Sequence, residues 1–280
     1  MKKKWRLIIL FIFSFVMGML ISLIFLTGSF QWLNRLSAYN YYSQSTVITR
    51  IILLSPVFLV YTFITSQLVG MLRTTRHWPV GSTRKLFHLL IFNMAGFIQL
   101  IYGLTLVILF GIYVSCFILY ALMRGESYPF YEAIARPQDH PRRSVLVLTP
   151  LIMTALGGYL SNLFFGTFAA LGIFVCGWGD AMGELIGCRW GRHKFTVPSL
   201  FGVPAIRSLE GSFAVALASI VVSFFLLLFW ALPWHTALWI AIVTGLIGAV
   251  AEAFSSHGLD NLTIQLSTSG TAFLLTGYFS

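Results

Sequence analysis

Nine stretches of this chain stay apolar for the length of a membrane crossing, and that pattern limits the fold more than any motif does. They fall roughly at 7–27, 50–71, 86–102, 104–123, 144–161, 164–186, 210–231, 236–256 and 262–279. A hydrocarbon core of ~30 Å takes about 20 such residues per helix, and each spanning segment has to satisfy its own backbone hydrogen bonds. Only 9% of the 280 residues are charged and 58% are hydrophobic, whereas soluble domains carry roughly a quarter charged residues. The expected fold is an all-α polytopic membrane protein with about nine transmembrane helices. The divisions at Tyr102-Gly103 and Ser161-Asn162 decide that count.

The charges agree with it. With the N-terminus in the cytoplasm and the C-terminus outside, the inner segments hold Lys2, Lys3, Lys4, Arg6, Arg73, Arg76, Arg84, Lys85, Arg124, Arg136, Arg142, Arg143, Arg189, Arg192, Lys194 and Arg207. Only Arg35 and Arg50 fall outside, as the positive-inside rule requires. The net charge of +10 is therefore topological and does not point to nucleic acid. The N-terminal apolar run is too long for a signal-peptide core and reads as an uncleaved first span. Cys116, Cys176 and Cys188 have no metal or disulfide spacing.

The carboxylates are few and unevenly placed. Glu126, Glu132 and Asp139 share one inner loop, where solvation is the expectation. Asp180, Glu184, Glu210, Glu252 and Asp260 each stand at the inner end of an expected helix. Asp180 and Glu184 are four residues apart and share a helix face. Acids at the edge of a bilayer are costly and mark a functional site. Short connections make successive helices neighbours, so the five acids are expected to converge. Mutual repulsion then calls for a divalent cation or nearby Arg and Lys, and hard oxygen donors suit Mg²⁺ with substrate phosphates.

The basic complement lies in Arg84-Lys85-Leu-Phe-His88 and in Arg189, Arg192, His193, Lys194 and Arg207. Gly179, Gly183, Gly187 and Gly191 recur every fourth residue. That spacing serves close helix packing or backbone approach to phosphate, and both readings stay open. No Walker phosphate loop occurs. Ser208, ahead of Leu-Glu210-Gly211-Ser212, is positioned to cap a helix whose first N–H groups face an anion. The last polar block is Glu252 through Asp260-Asn261-Leu-Thr263.

In this order the blocks Arg84-Lys85-x-x-His88, Gly179-Asp180-Ala181 through Gly187 and Gly191-Arg-His-Lys194, Arg207-Ser208-x-Glu210-Gly211-Ser212, and Glu252 with Asp260-Asn261-Leu-Thr263 resemble the CTP-dependent lipid kinases, which include phytol, dolichol and CTP-using diacylglycerol kinases. The resemblance covers about 84–275, so 1–83 is expected to hold helices outside the family core and 84–280 the catalytic membrane domain. Arg207 departs from the Lys of many members. The resemblance implies phosphoryl transfer from cytosolic CTP to the hydroxyl of a membrane lipid alcohol, at the cytoplasmic face; the N-terminus, which is not transit-like, favours insertion into a bacterial plasma membrane or another co-translational target. It implies Asp180 and Glu210 as catalytic groups and Asp180, Glu184, Glu210, Glu252 and Asp260 as Mg²⁺ ligands. Arg84, Lys85, His88, Gly187, Gly191, Lys194, Arg207, Ser208 and Asn261 would hold the nucleotide. Two other functions fit the same residues: cytidylyl transfer to a lipid phosphate, and ion-coupled transport. Transport is disfavoured because the polar groups gather at one end, with no comparable set near the midplane. Nothing in the residues names the alcohol or the oligomeric state.

Overall fold

The computed structural model describes residues 44–197, 205–256 and 258–279. The expected first span, at 7–27, lies outside them. Eight long helices of the described residues stand where the second to ninth expected spans fall: α1 (Gln44–Thr74), α2 (Val80–Tyr102), α3 (Leu104–Arg124), α5 (Arg143–Phe165), α6 (Ala169–Trp190), α7 (Leu209–Phe229), α8 (Trp234–Phe254) and α9 (Asp260–Phe279). A short helix, α4 (Pro129–Ile134), lies between α3 and α5. Among the described residues, six stretches are long and apolar enough to cross a membrane, and one of them, Arg143–Trp190, contains both α5 and α6. The chain is thus a helical membrane protein in its composition and its elements.

The helix breaks have local causes. The long run at 86–123 turns at Gly103, whose φ of 76° is open to glycine and strained for other residues. The second break comes later than expected. α5 continues past Ser161-Asn162 to Phe165 and stops at Gly166, φ 55°. Asn162 stays in the helix because its amide donates to Gly158 O and its carbonyl accepts from Gln99 on α2.

α6 is the central element. Every residue from Ala169 to Gly177 is buried, as expected for a helix apolar on all sides. It packs against α2, α7 and α9. Its glycines form a seam with α7: a Cβ on Gly183 would lie 2.5 Å from Val215 Cγ2, and one on Gly187 3.0 Å from Ser208 Oγ. One apolar core joins α1 to α5 through Phe58, Phe110, Tyr113 and Phe130. A second joins α6 to α7–α9 through Leu171, Val175, Leu227 and Ile240.

The all-α expectation misses one feature. After α6 the chain forms a two-stranded antiparallel sheet, β1 (Lys194–Val197) with β2 (Ala205–Ser208), Phe195 opposite Arg207. The aromatic and β-branched run Phe195-Thr196-Val197 favours a strand.

Candidate active site

Antiparallel connectivity brings the starts of α2, α5, α7 and α9 and the ends of α6 and α8 to one end of the bundle. Most of the charged groups of interest meet there. Lys85, on the first turns of α2, is buried and bonds to Asp180 of α6. Its amine also lies 3.2 Å from Glu184. Arg84 bonds to Glu184 as well, and Arg136, between α4 and α5, reaches the same carboxylate at 3.3 Å. Asp180 and Glu184 thus do share a face, and that face meets three cations. Gly81 lets Glu184 come close to the start of α2, where a Cβ would lie 3.2 Å from its oxygen.

Opposite them, Arg207 at the end of β2 forks between Glu252 of α8 (2.5 Å) and Asp260 of α9 (2.9 Å). Burial works against its charge, but Asp260 and Glu252 more than offset that and hold its pKa above the usual guanidinium value. Arg136 shifts the other way: burial and the adjacent Arg84 lower its pKa despite Glu184. The site is therefore polarised. The α2 side has more cation than acid, and the α8–α9 side more acid than cation.

Most of these groups open onto one cavity of about 130 Å³, while Arg136 and the expected metal ligand Glu252 stand behind its lining, paired with Glu184 and Arg207. Arg84, Lys85, His88, Asp180, Glu184, Arg207, Asp260 and Asn261 line its charged end. Ile91, Phe92, Val114, Ile118, Leu146, Val147 and Leu151 line the rest. His88 stacks on Phe92 with centroids 4.1 Å apart, and its Nε2 stands 3.5 Å from Asp180. Asn261 is locked by donating to Thr154 Oγ1 (2.7 Å) and Pro150 O (3.3 Å). Oδ2 of Asp180 takes the Lys85 bond, while its Oδ1 is buried with no hydrogen-bond partner among the described residues. Such an atom is costly and calls for a ligand or a function.

Other expected site residues lie elsewhere. Glu210 does not line the cavity. Its carboxylate accepts from His193 N at 3.3 Å and meets His193 Nδ1 at 2.7 Å, which ties α7 to the hairpin. Lys194 is exposed and pairs across the hairpin with Ser208. Ser208 caps α7 as expected, its Oγ accepting from Gly211 N at 3.1 Å. That hydroxyl sits against Gly187 and Gly191, so these glycines serve packing. Two neighbours of the site are not legible in the sequence, and neither lines the cavity. Arg136 joins Glu184 from a loop far away in sequence. Asp139, expected to be solvated, is buried, and burial raises its pKa against the nearby Arg136; the chain's turn back from α4 towards α5 encloses it.

The acids do not form a closed metal cage. Among the described residues no three of them group as metal ligands, and Arg and Lys pair with Glu184, Glu252 and Asp260. Mg²⁺ asks for less, often one or two carboxylates with substrate phosphates and water completing the shell. The open Asp180 oxygen and the acid excess around Asp260 fit that more modest demand.

Comparison with known proteins gives one informative match. A phytol kinase from the cyanobacterium Synechocystis sp. is 36% identical over 116 residues, which are 40% of this chain and 46% of the relative. The chain thus matches less than half of that relative's length. No family model matches, and no solved structure does. The likeness of the four polar blocks to the phytol and dolichol kinase family therefore has an independent counterpart: over those 116 residues this chain is similar in sequence to a phytol kinase.

Proposed function

We propose that this protein is a CTP-dependent kinase that phosphorylates the hydroxyl of a membrane lipid alcohol, at the cytoplasmic face of a bacterial plasma membrane. One observation carries the reading: a single cavity joins a charged end, with the open carboxylate oxygen of Asp180, to a long apolar wall. A lipid alcohol has that same division. The sequence similarity to a phytol kinase supports the reaction class. A nine-span topology with the N-terminus inside is part of this reading. It places the charged end and the basic segments on the side where CTP is available.

The residues divide the work. Phosphoryl transfer is chiefly positioning and charge stabilisation. Arg84, Lys85 and Arg136 face the incoming phosphates, and binding exchanges their bonds to Asp180 and Glu184 for bonds to phosphate oxygens. Asp180, released from Lys85, accepts the proton of the alcohol through Oδ1 or holds the metal. Asp260 and Glu252, kept in place by Arg207, face the metal side, and Asn261 completes the wall. Mg²⁺ bound there would neutralise phosphate charge. Glu210 and Lys194 act on the hairpin.

The test uses detergent-purified protein, Mg²⁺, a panel of lipid alcohols and phosphatidate. CTP labelled at the γ-phosphate is compared with CTP labelled at the α-phosphate. Label entering the lipid phase from the γ position alone is expected, and the alcohol that accepts it is the substrate. Label from the α position alone would establish cytidylyl transfer instead. Chelation of Mg²⁺ is expected to stop the reaction, and added Mg²⁺ to restore it.

A further inference from the structure

Resting on the lipid-kinase reading, we propose that the apolar arm of the cavity binds the hydrocarbon chain, and that Val114 and Ile118 of α3 decide which chains enter. The arm runs between α2, α3 and α5. Ile91 and Phe92 of α2, Val114 and Ile118 of α3, and Val147 and Leu151 of α5 line it. Each pair on α3 and α5 is four residues apart, so each forms a ridge on one helix face. The two ridges bound a slot.

Depth follows from helix geometry. From Lys85 to Phe92 the wall descends about 10 Å, and Val114 lies about 15 Å from the end of α3 at Arg124, at 1.5 Å per residue. The slot thus reaches from the charged end to about the middle of a ~30 Å hydrocarbon core. Its chemistry is uniform. The hydroxyl of Thr154, which also lines the cavity, accepts a hydrogen bond from Asn261 at 2.7 Å. The slot itself suits hydrocarbon and gives a second polar headgroup no favourable place.

Its two long sides differ. Val114 and Ile118 are 5% and 7% exposed, packed into the core of α1–α5. Val147 and Leu151 are only half-buried. Next to them, Val145 and Ile152 are exposed on the outer face of α5. α3 is therefore the closed back wall, and the α5 side opens towards lipid. A chain sliding in past α5 is stopped by Val114 and Ile118. Bulk at those positions fills the slot that a long chain needs and leaves the headgroup end unchanged.

Two measurements on the full chain test this. In the first, a long-chain alcohol carrying a mid-chain diazirine is photolysed with the protein and the adducts are mapped. Adducts around 114–118 and 147–151, competed by unlabelled alcohol, are expected. Adducts confined to outward helix faces would overturn the proposal, with or without turnover. In the second, γ-labelled CTP is used with long and short alcohols. Val114→Trp is expected to cut kcat/KM for the long alcohol at least about tenfold and for the short one less than about threefold. Val145→Trp, facing outward, leaves both unchanged. Equal loss on both alcohols, in a folded variant, contradicts the assignment. The two readings fail separately. Adducts in the slot without phosphoryl transfer to any alcohol would remove the kinase and keep the chain site; transfer with adducts elsewhere would do the reverse.

Discussion

Asp180 and Glu210 stand at the same end of the molecule, on helices packed against each other, yet their surroundings have little in common. Asp180 is buried against Lys85, faces a cavity and keeps one oxygen without a partner among the described residues. Glu210 lies outside the cavity, and its carboxylate is engaged by His193. The basic residues divide in the same way. Arg84, Lys85, Arg136 and Arg207 turn into ion pairs around the cavity, while Arg192, His193 and Lys194 stay exposed beside the hairpin. Charge of the right sign at the right end of a helix is thus not enough to mark a site group. The deciding property is whether the group is buried against the cavity with bonding capacity left over.

That contrast can be broken by substitution, and the largest effect is expected on the cavity side. Asp180→Asn should lower turnover by roughly 10²–10⁴-fold, the usual contribution of a positioned acid–base group. The variant should stay folded, because Lys85 keeps Glu184 at 3.2 Å. Next comes Arg207→Ala, which strands Glu252 and Asp260. Removing one partner of a buried pair costs about 3–5 kcal/mol, so thermal unfolding in detergent should shift markedly. Arg207→Lys should lose less, since it keeps the charge but not the fork. An unchanged melting curve for Arg207→Ala would show that the fork does not hold α8 and α9.

A smaller effect sharpens the division among the cations. Arg136→Gln should raise the KM for the nucleotide about tenfold, because a charge-assisted hydrogen bond is worth roughly 1.5–3 kcal/mol. A change in kcat alone would instead place Arg136 against the reacting groups. The smallest effects belong to the hairpin. Lys194→Ala and Glu210→Gln should each change turnover by less than about fivefold, in line with the ~0–1 kcal/mol of exposed pairs. A loss at Glu210 matching that at Asp180 would move the chemistry to the hairpin.

Much of this arrangement is legible in the sequence, for physical reasons. Helix existence follows from apolar length, and Gly103 ends α2 through its own backbone freedom. Asp180 and Glu184 share a face because the helical period is local. The meeting of Arg84 and Lys85 with that pair follows from charge at neighbouring helix ends. What stayed hidden depends on long-range geometry. Arg136 reaches Glu184 across 48 positions in the chain. Glu210 turns to His193 because the hairpin brings the start of α7 back beside the loop after α6, where Leu209 N donates to His193 O at 3.0 Å. The period-four glycines carry no mark that separates packing from phosphate binding. The position of Ser208 against Gly187 and Gly191 shows the packing use.

The most direct test of the central claim is one ratio: transfer of the γ-phosphoryl label from CTP to lipid alcohol by Asp180→Asn against Glu210→Gln, at equal amounts of folded protein. The account predicts a hundredfold or larger deficit for Asp180→Asn, about the contribution of a positioned acid–base group, with Glu210→Gln close to the unaltered protein. Equal rates, or the greater loss at Glu210, would contradict it and take the active site out of the cavity.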